Sequence, residues 1–336
     1  MLKKAMIMAA GVGSRLEPLS SVVPKPLVPL ANVPTMDILV KHLASFGIRN
    51  IIANTYHKAE AIKEHYKNCN DVDMQFITEV ELSGTAGGVK KCQFFFDKGE
   101  DFIIMSGDGL TDINIEEAYK SHKKSNAIVT IVAKDVAHKE VSKYGIIVPD
   151  KAGYVESFQE KPSLEEAKSN LANTGIYIFN YEIFNFIPEN TFYDFAKNVF
   201  PSIMESGLKI NTYIHTGYWS DIGSLDQYHQ SNIDLLNQAI YTYKPMVVKT
   251  IEGQYTIGEN SKFSGKVTIQ DNCIIGNNCE IGNNVKIKNS IIWDNVIISD
   301  NIEIENAIIL SNMKIEKSVK NQIISEEKLK EHLITV

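Results

Sequence analysis

Over its first two thirds the chain alternates short apolar runs with stretches of helical period. They are AMIMAA at 5–10, MDILVKHLASF at 36–46, NIIAN at 50–54, AEAIKEHY at 59–66, DMQFIT at 73–78, DFIIMSGD at 101–108, IEEAYKSHKK at 115–124 and AIVTIVAK at 127–134. Strands that alternate with helices are joined by crossovers, so this order predicts a mixed, mostly parallel sheet flanked by helices, a Rossmann-like α/β fold. YGIIVPDKAGYVESF at 144–158 departs from the pattern and reads as a hairpin, with Asp150, Lys151 and Gly153 in its turn. Strands at 175–180 and 209–215 and helices near 194–206 and 224–240 complete the domain.

Past residue 250 the period becomes six. Ile257, Phe263, Ile269, Ile275, Ile281, Ile287, Ile292, Ile298, Ile304, Ile309 and Ile315 recur at that spacing, with two steps of five. A second register, Val267, Cys273, Cys279, Val285, Ile291, Val296, Ile302, Ala307 and Met313, runs two positions behind from the third rung onward. A parallel β-helix turns one large and one small side chain inward on each short face, with Gly and Asn at the corners, and Gly258, Gly276, Gly282, Asn277, Asn278, Asn283 and Asn284 fall there. The pattern predicts two domains, 1–245 and 246–336. ISEEKLKEHLITV at 324–336, with Leu329 and Leu333 four apart, reads as a short helix over the open end of the β-helix. Cys273 and Cys279 then become small core residues instead of reactive thiols.

Composition narrows the functional classes. The chain has 336 residues, 44% hydrophobic and 22% charged, which is globular usage and room for about two domains at roughly 150 residues each. Its 34 Lys and Arg against 41 Asp and Glu give a formal charge of -7, which argues against a nucleic-acid partner but leaves room for a local basic pocket. The four cysteines lack metal-site spacing and read as reduced thiols in a cytoplasmic protein. MLKKAMIMAAGVGSR is too short in its apolar run for a signal peptide, and no stretch approaches a membrane span.

The densest chemical signal is AAGVGSRLEPLSSVVPKPLVP at 9–29, directly after the first predicted strand. Closely spaced glycines let backbone N–H groups approach a phosphate, and Arg15 and Lys25 add positive charge. It is neither GxGxxG, since Leu16 stands at the third glycine position, nor a P-loop, since no GK[ST] follows. Alone, the segment is equally a turn with solvated cations. SGDG around Asp108 and SDIG around Asp221 are, taken singly, equally Asp-Gly-type turns.

The segment resembles the GxGTRLxPLTxxxPKPLxP signature of the sugar-phosphate nucleotidyltransferases, with Gly11, Gly13, Arg15, Leu16, Pro18, Leu19, Pro24, Lys25, Pro26 and Leu27 in register and Ser14 and Ser20 where the family has Thr. SGTAGGVK at 83–90 is similar to the family's LGTAGAL segment, with Leu82 and Ser83 in place of Pro-Leu. MSGDGLTDI at 105–113 resembles GDxLTD, and DFAKNVFP at 194–201 and YWSDIGSLDQYHQSN at 218–232 extend the likeness over almost the entire chain. Many members also carry a hexapeptide β-helix, so the repeats are expected to coil left-handed.

The resemblance implies that Ala10, Gly11, Gly13, Ser14, Arg15, Lys25, Gly84, Thr85 and Asp108 bind a nucleoside triphosphate. Gly145, Glu160, Lys161 and Asn173 would bind a sugar 1-phosphate, and Asp108 and Asp221 would hold Mg²⁺. Arg15, Lys25, Asp108 and Asp221 are the expected catalytic residues. GTAGG and PKPLVP look most like the mannose-1-phosphate guanylyltransferases, which makes GTP the expected nucleotide; glucose-1-phosphate thymidylyl- or uridylyltransfer is the alternative. A homo-oligomer is expected.

Two other functional classes fit the sequence less well. Hexapeptide acyltransferases use a histidine base, but His42, His57, His65, His122, His138, His215, His229 and His332 all lie outside 257–315. A non-catalytic regulatory subunit on the same fold should have lost a phosphate-gripping cation or a metal carboxylate, and none is missing.

Overall fold

The computed structural model describes residues 1–240 and 242–326. It divides into two compact units. The first comprises Met1–Val12, Pro24–Pro26 and Leu39–Asp221. The second comprises Gly13–Val23, Leu27–Ile38 and the chain from Ile222 onward.

The first unit is built on a mixed sheet. Lys4–Ala9 lies between Asn50–Thr55 and Asp101–Ser106 and runs parallel to both, and Asp73–Thr78 adds parallel to Asn50–Thr55. Crossover helices join these strands, two of them Ala59–Tyr66 and Gly84–Lys91. Leu171–Asn180 then runs antiparallel to Asp101–Ser106 and carries the rest of the sheet, pairing with Val129–Asp135 and with the hairpin Gly145–Pro149/Val155–Glu160. Ile210–His215 closes that side, parallel to Val129–Asp135. Asp150 shapes the hairpin turn, its Oδ1 accepting from the Ala152 and Tyr154 N–H groups at 2.8 and 2.9 Å. The core under the sheet is rich in aromatics, with Phe96, Phe102 and Phe184 stacked and Tyr177, Phe179, Phe195 and Phe200 beside them.

The second unit contains the helix Leu225–Leu236 and the β-helix. Successive coils pair in parallel, Phe263 with Ile281, Ile281 with Ile298 and Ile298 with Ile315. Each coil is therefore three hexapeptide faces, shortened by one residue where a five-residue step occurs. The corners are left-handed. Asn278, Asn295 and Asn312 have φ of 54°, 59° and 67°, conformations that asparagine tolerates better than other non-glycine residues. Their amides form a ladder along the coil axis, Asn260 to Asn278 to Asn295 to Asn312, each bond 3.0–3.2 Å.

One inward position differs from expectation. Ile291 neighbours the inward Ile292, so it must point to the opposite face; Ser290 turns inward in its place, and its Oγ donates to Lys288 O at 2.7 Å and accepts from Ala307 N at 3.1 Å. The five-residue step from Ile287 to Ile292 moved the register by one. The helix expected at 324–336 lies outside the described residues from 327 on, and Ile323–Ile324 at its start is a strand paired with Ile308–Ile309. Among the described residues no helix is long and apolar enough to cross a membrane.

Candidate active site

The parallel strands of the first unit end together, and ligands of open α/β sheets bind at such ends. Lys4–Ala9 runs into Ala10 and Gly11, and Asp101–Ser106 runs into Gly107 and Asp108. Ala10, Gly11, Lys25, Gly84, Thr85 and Asp108 line one cleft of about 370 Å³. These six expected nucleotide residues come from four separate stretches of chain. Gly13, Ser14 and Arg15 fall in the second unit, where Ser14–Leu16 forms a short 3-10 turn and Arg15 is exposed.

Lys25 and Asp108 form a short ion pair in the cleft, and Ser106 Oγ donates to the other Asp108 oxygen. Burial pushes the Asp108 carboxyl up, but the Lys25 charge and the hydrogen bonds from Lys25 and Ser106 outweigh it and hold the group below the usual carboxylate range. Lys25 is thus a cation already aimed where a phosphate would enter.

Asp221 is not among the residues that line this cleft, but strand pairing brings it next to the residue after Asp108. Trp219–Asp221 pairs antiparallel with Gly109–Thr111, with Asp221 opposite Gly109, the residue after Asp108. Both carboxylates stand at one end of this two-stranded ribbon. Among the described residues no three or more His, Cys, Asp or Glu side chains gather as a metal cage. Two hard oxygen ligands without a closed cage suit Mg²⁺, which keeps several waters and takes substrate phosphates as partners.

The expected sugar-phosphate residues are gathered by the sheet register. Glu160 lies opposite Gly145, and Ala172 lies opposite Ile146, which sets Asn173 beside that pair. Lys161 follows with φ 45°, its N–H donating to Tyr144 O at 3.1 Å. Register slips between Asn173 and Tyr177, and within this bulge Gly175 packs on Ser106, the hydrogen-bond partner of Asp108.

Gly84 and Thr85 were expected, but the helix that they begin was not. GTAGGVKK forms the helix Gly84–Lys91, although three of its eight residues are glycine. The segment at 191–193 lies so close that a Cβ on Gly84 would sit 2.4 Å from Tyr193 O, and one on Gly87 2.8 Å from Thr191 O. In return Tyr193 O accepts from the Ala86 and Gly87 N–H groups at 3.0 and 3.1 Å, and these contacts hold a helix that propensity would not. Thr85 Oγ1 donates to Asp194 Oδ2 at 2.9 Å and accepts from Phe195 N at 3.0 Å, so its hydroxyl serves this packing.

Glu79 is the second omission. Its side chain is 1% exposed yet lines the cleft, and it accepts from Asn54 Nδ2 at 2.6 Å, from Lys91 Nζ at 2.9 Å, and from the Ser83 N–H and Oγ. Burial raises its carboxyl, and these donors together with the Lys91 charge more than reverse that. Asn54 Oδ1 in turn accepts from Ala9 N at 3.1 Å, which ties this network to the first strand. No local signal marks such a network, because its members are brought together only by the sheet.

Comparison with known proteins bears on the family and the fold. The family model described as "Nucleotidyl transferase" matches residues 4–238, and one described as "EIF2B subunit epsilon LbH domain" matches residues 238–328, in agreement with a left-handed β-helix. UTP–glucose-1-phosphate uridylyltransferase of Synechocystis sp. is 36% identical over 265 residues, 75% of this chain and 68% of that protein. Glucose-1-phosphate adenylyltransferase of Desulfitobacterium hafniense is 31% identical, over 70% of this chain and 64% of its own length, and that of Clostridium acetobutylicum 30%, over 81% and 79%. Among solved structures, HddC from Yersinia pseudotuberculosis complexed with GMP-PN superposes with a TM-score of 0.59 at 25% identity, covering 69% of this chain and 98% of that one.

Proposed function

The chain belongs to the nucleotidyl transferase family, as an enzyme that joins a nucleoside triphosphate to a sugar 1-phosphate, and we propose that its sugar is glucose 1-phosphate and its nucleotide UTP. The observation that carries this is the cleft where Lys25 and Asp108 meet beside Gly11 and Gly84, in a chain 36% identical to a glucose-1-phosphate uridylyltransferase. The expected preference was for mannose 1-phosphate and GTP; the three curated relatives carry glucose 1-phosphate in their names, and a guanine nucleotide accompanies the HddC structure, at 25% identity.

The chemistry follows from charge. A sugar phosphate oxygen attacks the α-phosphorus of the nucleotide and pyrophosphate leaves, so two polyanions must first be brought together. Lys25 neutralises part of that charge. Glu160 accepts hydrogen bonds from sugar hydroxyls, and Lys161 and Asn173 hold the sugar phosphate. Asp108 and Asp221 would hold Mg²⁺, which when bound would supply charge neutralisation at the phosphates. A phosphate is already ionised at neutral pH, so positioning and electrostatics suffice and no general base is needed.

A panel of UTP, ATP, dTTP and GTP against glucose 1-phosphate and mannose 1-phosphate, read by pyrophosphate release, tests the assignment. UTP with glucose 1-phosphate is expected to give the highest kcat/KM. GTP with mannose 1-phosphate as the best pair would overturn the substrate assignment, and no turnover with any pair would restore the regulatory-subunit reading.

The mouth of the cleft adds a second expectation. Phe192 lines it while 69% exposed, with Leu82 nearby, an arrangement suited to the face of a nucleobase. Base–aromatic stacking contributes about 1–3 kcal/mol, so Phe192→Ala should raise the nucleotide KM about tenfold with kcat at saturation unchanged. Steady-state kinetics with the nucleotide varied would show it, and an unaltered KM would remove Phe192 from the site.

A further inference from the structure

The geometry points to Asp112 as the positioning residue that sets the spacing of the two carboxylates Asp108 and Asp221. The ribbon formed by Gly109–Thr111 and Trp219–Asp221 has three residue pairs, Trp219 with Thr111, Ser220 with Leu110 and Asp221 with Gly109. So short a ribbon has little register preference of its own. Its far end is held by Asp112. Asp112 Oδ1 accepts from Tyr218 N at 2.7 Å, and Asp112 N donates to Tyr218 O at 3.2 Å. His215 Nε2 lies 2.9 Å from Tyr218 O and 3.3 Å from Asp112 Oδ1, with both side chains nearly buried. Lys134 Nζ adds a bond to Thr216 O at 3.3 Å. The turn is tight enough that a Cβ on Gly217 would stand 2.2 Å from Asp112 Oδ1, so only glycine admits the carboxylate there.

The consequence is metric. A slip of one residue would move Asp221 by about 3.4 Å and exchange the faces of the strand. Mg²⁺ takes oxygens at about 2.0–2.1 Å in nearly ideal octahedral geometry and cannot follow such a shift. Asp112 touches neither substrate nor metal. It acts through the Tyr218 backbone on Asp221.

This inference rests on the proposed metal role of Asp108 and Asp221, and the test separates the two. Mn²⁺ binding to the full chain is measured by electron paramagnetic resonance, and Mg²⁺ half-saturation of pyrophosphate release is measured alongside. Asp112→Ala is expected to weaken Mn²⁺ binding about tenfold or more, as loss of groups behind metal ligands does, and to raise the Mg²⁺ half-saturation by the same factor. Asp112→Asn, whose amide oxygen can still accept from Tyr218 N, should stay within about threefold of the parent, which would show that position and not charge is at work. Gly217→Ala keeps every carboxylate but displaces Asp112, and should match Asp112→Ala; it decides the matter should that variant fail to fold. Parent-like Mn²⁺ binding in Asp112→Ala or Gly217→Ala, with binding lost in Asp108→Asn, would overturn the positioning role alone. Parent-like binding in Asp108→Asn would overturn the metal pair itself and the positioning role with it.

Discussion

Asp108→Asn is expected to lower pyrophosphate release about 10²–10³-fold at saturating substrates, the usual cost of removing one preorganised electrostatic group. The side chain sits where three demands meet. It is the counter-ion of Lys25, the acceptor of the Ser106 hydroxyl, and one of two carboxylates at the end of the ribbon. An amide keeps the volume and an acceptor oxygen but loses the charge, and a neutral amide is a weak ligand for Mg²⁺. Lys25 then lacks its counter-ion, which should tighten its hold on nucleotide phosphates in the ground state. Turnover should therefore collapse while the nucleotide KM falls or holds steady. Both side chains are mostly buried, and removing the aspartate charge leaves Lys25 uncompensated, so thermal unfolding should also move down by several degrees. Parent-like turnover with limiting Mg²⁺ would remove Asp108 from the chemistry.

The largest effect on stability is expected from Ile281→Asp. Ile281 has no solvent exposure and lies on the inner face of the β-helix, between Phe263 on the preceding coil and Ile298 on the next. Its surroundings, Ile275, Cys279, Ile287 and Ile298, offer no charged partner. An aspartate there must stay neutral at a cost in protonation or disrupt the coil. Either way the loss, with the isoleucine packing included, comes to about 4 kcal/mol or more. Coils stabilise one another through nearest neighbours, so the damage should spread along the stack instead of staying at one rung. Thermal denaturation followed by circular dichroism should show an early β transition. Ile281→Val, which removes one methylene, should cost about 1 kcal/mol and leave the transition single. An Asp variant that melts like the parent would mean that this rung is not part of a packed core.

Much of this was open to reading in the chain. The alternation of apolar runs and helical periods carries the parallel strands, because each segment reveals its own burial pattern locally. The six-residue period carries the β-helix for the same reason. What escaped depends on contacts distant in sequence. The antiparallel course of Leu171–Asn180 follows from the strand it meets, not from its own residues. The helix Gly84–Lys91 was hidden by its glycines, which are there to admit residues 191–193. Glu79 has no motif around it and becomes meaningful only when Asn54, Ser83 and Lys91 surround it. Ser290 could have been found, since it stands two places before Ile292 as each small inward residue stands before its large one. At the site, sequence order names Lys25, Asp108 and Asp221 but says nothing of their placement; the cleft joins Lys25 to Asp108, and the ribbon sets Asp221 opposite Gly109.

Lys25 lies in a three-residue stretch, Pro24–Pro26, that belongs to the first compact unit, while the chain on either side of it belongs to the second. Those flanks have partners of their own there. Ala31 N donates to Asn232 Oδ1 at 2.8 Å, Asn32 Nδ2 donates to Ile275 O at 2.7 Å, and Tyr243 OH donates to Ala31 O at 3.1 Å. For anyone wishing to graft or trim this protein, the β-helix is therefore not a removable tail. Cutting after residue 245 would leave the Asn32 amide without its Ile275 acceptor. A chimera that exchanges the repeats would have to carry the stretches 13–23 and 27–38 with them, and with those the arm on which Lys25 is mounted.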